Sequence, residues 1–241
     1  LDTHPDVPAF PPEFAGNLSF CLPLKVKYTD RYIFYILAAM KADRTRKMIL
    51  EKAAPLFNQK GFAGTSLADL ERVTGLTKGA LYGNFTDKET LAGEAFAFAM
   101  GIVKESMRNL LDPVPTFKGK LLALLDFFAR YVLEPPVPGG CPLLNAAVEA
   151  DDYRLSMRRV VSTEILQVVN YIATLLRKGV RTGEFKKDIN PRELAYTFFC
   201  AIEGAIMFSR VEGSSGPMEI IIDHCKNKLE QISNPLWNKN A

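Results

Sequence analysis

From Arg44 onward, apolar residues recur along the chain at helical spacing. Ile49, Ala53, Leu56 and Phe57 fall at i, i+4, i+7 and i+8, which is one face of a helix. Gly61 stands where a left-handed cap ends that helix, and Pro55 inside it removes a backbone donor and predicts a slight bend. Thr65 is placed to cap a second helix, with Asp69 and Glu71 near its positive end. Gly75 breaks this helix, and Thr77 caps a third, very short one that runs to about Asn84. A fourth begins at Thr86, in a capping box with Glu89, or at Asp87. Longer one-sided apolar segments follow at roughly 88–111, 117–133, 142–150, 153–181, 191–211 and 217–231. Asp112-Pro113, the run Pro135 to Gly140, Gly183 and the run Gly213 to Gly216 separate them. No segment alternates with period two and no repeat is present, so the predicted fold class is all-α.

The start of the chain reads differently. Residues 1–28 carry Pro5, Pro8, Pro11, Pro12 and Pro23 and show no helical period. Arg31 to Met40 is basic and then apolar, as a signal peptide is, but it lies deep in the chain without a persuasive cleavage site. The apolar run Tyr32 to Met40 is about half of what a bilayer span needs, so no membrane partner is expected. Residues 1–40 are expected to be an irregular leader, with the functional chain beginning near Met40. Residues 41–90 then form a first domain and 91–235 a larger helical one.

Composition narrows the function. The net charge of +3 over 241 residues is too small for indiscriminate nucleic-acid binding. Between Lys41 and Thr90, however, nine Lys/Arg face six Asp/Glu, so the excess is local to the first domain. Cys21, Cys141, Cys200 and Cys225 form no C-x-x-C pair, and with only His4 and His224 there is no zinc-ligand spacing. Reduced thiols, a cytoplasmic location and no cofactor are expected.

The chemistry concentrates in Gly61 to Phe85. Two short helices joined by a tight glycine turn cross steeply, so the second protrudes far enough to enter a major groove. Leu67, Leu70, Val73, Leu76, Leu81 and Phe85 are the inward set, leaving Thr77, Lys78, Gly79, Tyr82, Gly83 and Asn84 outward on the third helix. Lys78 brings charge to a phosphate, and Thr77 and Tyr82 bring hydroxyls. Gly79 and Gly83 let the backbone approach the groove floor, and the helix starts at Ser66, Thr77 and Lys88 offer free N–H groups to phosphate. Arg46, Ser66, Thr77, Lys78, Gly79, Tyr82, Asn84 and Lys88 are the candidate DNA-binding residues.

Thr45 to about Gly93 resembles the DNA-binding domain of the TetR family. The resemblance rests on Ile49, Ala53, Ala54, Leu56, Phe57, Gly61, Phe62, Thr65, Ser66, Leu70, Gly75, Thr77, Lys78, Gly79, Leu81, Tyr82, Phe85, Lys88, Glu89 and Leu91. It implies a three-helix helix-turn-helix domain ahead of a helical ligand-binding and dimerisation domain. It also implies that Thr65, Ser66, Thr77, Lys78, Tyr82 and Lys88 grip phosphates and base edges. The expected partners are a double-stranded DNA operator, a small-molecule inducer and a second copy of the chain. Two positions depart from the pattern. Glu71 stands where alanine is common, so its carboxylate must swing outward, and Asn84 replaces a frequent histidine.

The later helices carry no comparable signature. The resemblance places the last two in a dimeric four-helix bundle. Ala201, Gly204 and Ala205 suit close approach, and Ile221, Ile222, Cys225 and Leu229 supply an apolar stripe. Phe127, Tyr131, Cys141, Asn145, Glu149, Tyr171 and Phe198 are the candidate ligand-binding residues, and Phe128 and Phe199 are further aromatics that could line the pocket. Asn145 and Glu149 lie four apart in an apolar context, so they either tie helices together or meet a ligand. Cys141, at a helix start, is a candidate for a lowered thiol pKa. A helical enzyme is the competing class, yet the chain offers no nucleophile–base pair, phosphate loop or metal set. A DNA-binding protein governed only by a protein partner also stays open.

Overall fold

The computed structural model describes residues 29–153 and 155–237. Residues up to Lys41 form one unit and those from Ala42 onward another. The described part of the first unit is the opening of helix α1 (Thr29–Gly64). The expected irregular leader therefore gives way to helix at Thr29, well before residue 40. Neither proline nor glycine occurs between Leu24 and Ala54, and Leu37, Ala38, Ala39 and Met40 are strong helix formers. The proline-rich residues 1–28, Cys21 among them, lie outside the described residues.

The second unit continues with α2 (Leu67–Thr74), α3 (Lys78–Tyr82), α4 (Lys88–Leu111) and α5 (Phe117–Tyr131). It ends with α6 (Pro142–Tyr153), α7 (Leu155–Arg181), α8 (Pro191–Glu212) and α9 (Gly216–Ile232). The segments predicted from apolar spacing agree with these bounds to within about three residues. Caps explain several boundaries: Asp87 rather than Thr86 accepts the Thr90 N–H to open α4, and Thr116 and Asn190 open α5 and α8.

Ile49, Ala53, Ala54 and Leu56 of α1 are buried together with Leu70, Leu81 and Phe85, closing the core of the three-helix domain. Behind it, α7 packs on α5, α6 and α8, while α9 packs on α5 and α8. Leu121, Leu124, Ile172, Leu176, Ile206 and Leu229 fill this bundle. Each such side chain contributes about 1.5–3 kcal/mol of burial, which holds the long helices in register. Glu184 is buried too, but its carboxylate accepts the N–H groups of Phe117 (3.2 Å) and Lys118 (2.8 Å) at the positive end of α5.

The α8–α9 pair differs from expectation in which stripe is free. Ala205, Ile222, Cys225 and Leu229 are buried within the subunit, because α9 uses that stripe against α5 and α8. The exposed apolar residues are Met207, Phe208 and Val211 on α8 and Ile220 on α9, beside Gly204, whose Cα faces open space. By length and composition α8 is also apolar enough to cross a bilayer, although no such span was expected. It packs on α7 and α9 and carries Glu203 at its middle.

Candidate functional site

The turn between α2 and α3 is built by glycine. Gly75 sits at φ 73°, ψ 15°, and its N–H closes α2 by donating to the Glu71 carbonyl at 2.8 Å. Ser66, not Thr65, caps α2, in a reciprocal box with Asp69. Lys60 in particular, with Ser66 and Arg72, holds the Asp69 carboxyl well below the usual carboxylate range. Glu71 has a use that its departure from the family pattern did not foretell. Its carboxylate accepts the Lys78 N–H at 2.6 Å and caps α3 alongside Thr77, whose hydroxyl accepts from Ala80. The Lys78 N–H is therefore not free for a phosphate, contrary to the expectation for this helix start.

The nine candidate DNA-binding residues divide into two groups. Ser66, Thr77, Lys78 and Gly79 are exposed and Tyr82 is half-buried, so all five side chains or backbones reach the surface at α2 and α3. The other four brace the domain. Thr65 is completely buried and donates its hydroxyl to the Gly61 carbonyl at 2.6 Å, so its side chain cannot reach DNA. Arg46 donates to the Asn84 carbonyl and to Glu94 and lies over the Phe85 ring, at 4.2 Å from its centroid. Asn84 spends its amide on the Ala80 carbonyl at 2.8 Å. Lys88 donates to the Phe62 carbonyl at 2.6 Å and covers the Phe62 ring.

A seam joins this domain to α6. At Gly61, α1 is broken by a backbone at φ 72°, ψ 172° that L side chains rarely adopt. The break frees the N–H groups of Phe62 and Ala63, and both donate to the Glu149 carboxylate, at 2.7 and 3.3 Å. That carboxylate occupies the space a Cβ at Gly61 would need. One turn earlier, Asn145 donates to the carbonyl and side-chain oxygen of Asn58, both at 2.9 Å. Asn58 donates in turn to the carbonyls of Pro138 and Gly140, both at 3.0 Å. Of the two readings left open for Asn145 and Glu149, the structure gives the tie between helices.

The first turn of α6 and the residue before it line a cavity of about 480 Å3. Met100, Val103, Met107 and Leu111 of α4 form one wall, and Phe128 and Tyr131 of α5 another. Cys141, Pro142 and Leu143 close it at α6, Val168 and Tyr171 at α7, Phe199 and Glu203 at α8. Lys104, Arg108, Asp112 and Gln167 are its remaining polar lining, and Lys104 is paired with Glu164 at 2.6 Å. The Cys141 thiol donates to Glu203 Oε1 at 3.3 Å. Glu203 Oε2 and the Tyr131 hydroxyl are buried without a partner among the described residues. Burial pushes the Glu203 carboxyl up to about 7 and raises the Tyr131 phenol as well. The Cys141 thiol moves up, not down as expected, because burial and the neighbouring Glu203 both disfavour its thiolate.

Similar proteins fit this architecture. Residues 49–95 match bacterial regulatory proteins of the tetR family, and residues 118–225 match the tetracyclin repressor-like C-terminal domain. A solved TetR family transcriptional regulator from Cytophaga hutchinsonii is 35% identical, covers 80% of this chain and 96% of its own, and superposes with a TM-score of 0.76. The chain belongs to the TetR family. It is a DNA-binding transcriptional regulator. The transcriptional repressor DhaR of Mycobacterium sp. (strain GP1) is 24% identical over 81% of this chain and 99% of its own length. The TetR family regulator CifR, solved with a 26-bp double-strand operator, shares the fold at 23% identity and a TM-score of 0.67, over 75% of this chain and 94% of that one.

Of the seven candidate ligand residues, Tyr131, Cys141 and Tyr171 line the cavity. Of the two aromatic pairs, Phe128 and Phe199 line it and Phe127 and Phe198 do not, since a helix turns adjacent residues about 100° apart. Asn145 and Glu149 belong to the seam. Glu203 was missed altogether. A signal existed, because it is the only charged residue between Ala195 and Phe208.

Proposed function

We propose that this TetR family protein is a homodimeric repressor that holds a near-palindromic operator and leaves it when a small molecule occupies the cavity among α4–α8. The observation that carries this reading is the double duty of α6. Cys141, Pro142 and Leu143 at its start line the cavity, and Asn145 and Glu149 along its length hold α1 at Asn58, Phe62 and Ala63. A ligand that shifts the start of α6 moves the brace of the DNA-binding domain. α4 offers a second route, since its body walls the cavity while Lys88 at its start holds Phe62. A coupling of about 1–3 kcal/mol would change occupancy 5–150-fold.

A cavity of this size favours sensing over control by a protein partner alone, for which a filled core would serve. Dimerisation is assigned to the exposed stripe Met207, Phe208, Val211 and Ile220, through which two recognition helices reach successive major grooves about 34–36 Å apart. In this reading the protein acts in the cytoplasm and performs no catalysis.

Selection from a randomised duplex library, followed by footprinting, tests the reading. The expected result is a two-fold site whose half-sites are one helical turn apart, bound by a dimer in sedimentation. Lys78→Ala should weaken binding by roughly 1–3 kcal/mol and lower the salt slope by about one unit. A monomer on a single half-site, or unchanged affinity after Lys78→Ala, would overturn it.

A further inference from the structure

The polar end of the cavity lacks one component. The walls are apolar and aromatic, with Met100, Val103, Leu111, Phe128 and Phe199 among them. At the α5–α8 side stand two buried oxygens, the Tyr131 hydroxyl and Glu203 Oε2, with no hydrogen-bond partner among the described residues. Cys141 occupies only the other carboxyl oxygen. A buried polar atom left unpaired costs as much as a lost hydrogen bond, and a buried acid without a counter-charge costs more. No ion pair to Glu203 forms among the described residues: of the two cationic residues lining the cavity, Lys104 is bound to Glu164 and Gln167, and no contact joins Arg108 to the acid.

The missing component is a donor, and a positive one. A neutral apolar molecule would fill the walls yet leave both oxygens unpaired, and a carboxylate would place two acids together. An ammonium group carries three donors, enough for both oxygens, and its charge is the one the acid lacks. Phe128, Tyr131 and Phe199 line the same cavity, and aromatic rings suit a cation as well. We propose that the ligand class of this cavity is an apolar amine bound as its cation, with the ammonium received by Glu203 and Tyr131 and the apolar body against α4. This rests on the reading that the cavity senses a ligand.

Three probes on one skeleton separate the two ideas: naphthylethylamine, naphthylethanol and naphthylacetic acid, titrated calorimetrically into the full chain. The amine should bind at least about 10-fold tighter than the alcohol, with the acid weakest. Glu203→Gln, which keeps the shape of the side chain, should abolish the preference for the amine while holding the alcohol within about threefold. Circular dichroism confirms that the variant folds, and the ranking in the unaltered protein stands without it. Alcohol or acid binding as tightly as the amine would overturn the proposal and leave sensing intact, as would an amine preference that survives Glu203→Gln. If none of the three binds, the sensing reading falls as well.

Discussion

On either side of α6 lie two polar settings that look alike in sequence and differ in completeness. In the seam against α1, Glu149 meets two N–H groups, Asn145 meets Asn58, and Asn58 meets two carbonyls. Glu184, another acid among apolar helices, is likewise met by two N–H groups of α5. In the cavity, Glu203 and Tyr131 each keep an oxygen with nothing to bind among the described residues. A completed polar cluster fixes the position of helices; an incomplete one pays desolvation without return until something enters. The contrast separates architecture from recognition.

The largest effect should come from breaking the seam at its tightest point. Gly61→Ala forces a side chain into a positive-φ backbone and against the Glu149 carboxylate, and should cost roughly 3 kcal/mol or more in denaturant unfolding. Unchanged stability would mean that the seam is slack.

The cavity should respond to pH in the opposite sense from a satisfied acid. The Glu203 carboxyl sits at about 7 in the fold against 4.5 for its ordinary value, so the folded chain holds its proton longer than the unfolded one. Its contribution is full below about 4.5 and is lost as pH rises through about 7, a change of up to about 3 kcal/mol. Glu203→Gln should remove this slope, so the variant gains stability over the original most at about pH 8. Parallel stability profiles for the two proteins would show that the acid is satisfied after all.

Asn145→Ala should have a smaller effect, about 1–3 kcal/mol, by stranding the Asn58 oxygens. Its thermal shift should exceed that of Tyr131→Phe, which removes an oxygen that has no partner among the described residues. The reverse order would erase the distinction between the two settings.

Much of this molecule was legible in its sequence, for physical reasons. Helix spans follow from apolar spacing and from caps that only certain residues provide, so the bundle and the Gly75 turn could be read directly. The outward face Thr77, Lys78, Gly79 and Tyr82 was legible because a short helix on a fixed core has few places to point. The resemblance gives Thr65 and Lys88 to DNA, with Arg46 a candidate beside them, whereas the fold gives each an internal partner. The cavity was the least legible part. Its members come from five helices, and whether Phe127 or Phe128 faces it depends on helix rotation, which periodicity fixes only coarsely. Glu203 could be marked as unusual, but its missing partner is a property of the assembled bundle.

The central claim is that α6 carries the state of the cavity to the DNA-binding domain through Glu149. It is tested most directly by operator affinity with and without naphthylethylamine, in the original protein and in Glu149→Ala. The amine should lower the original protein's operator affinity by at least about fivefold. In Glu149→Ala the amine should bind equally well and change operator affinity by less than about twofold, whatever the variant's starting affinity. An equal amine-driven loss in both proteins would contradict the account and leave α4 as the carrier.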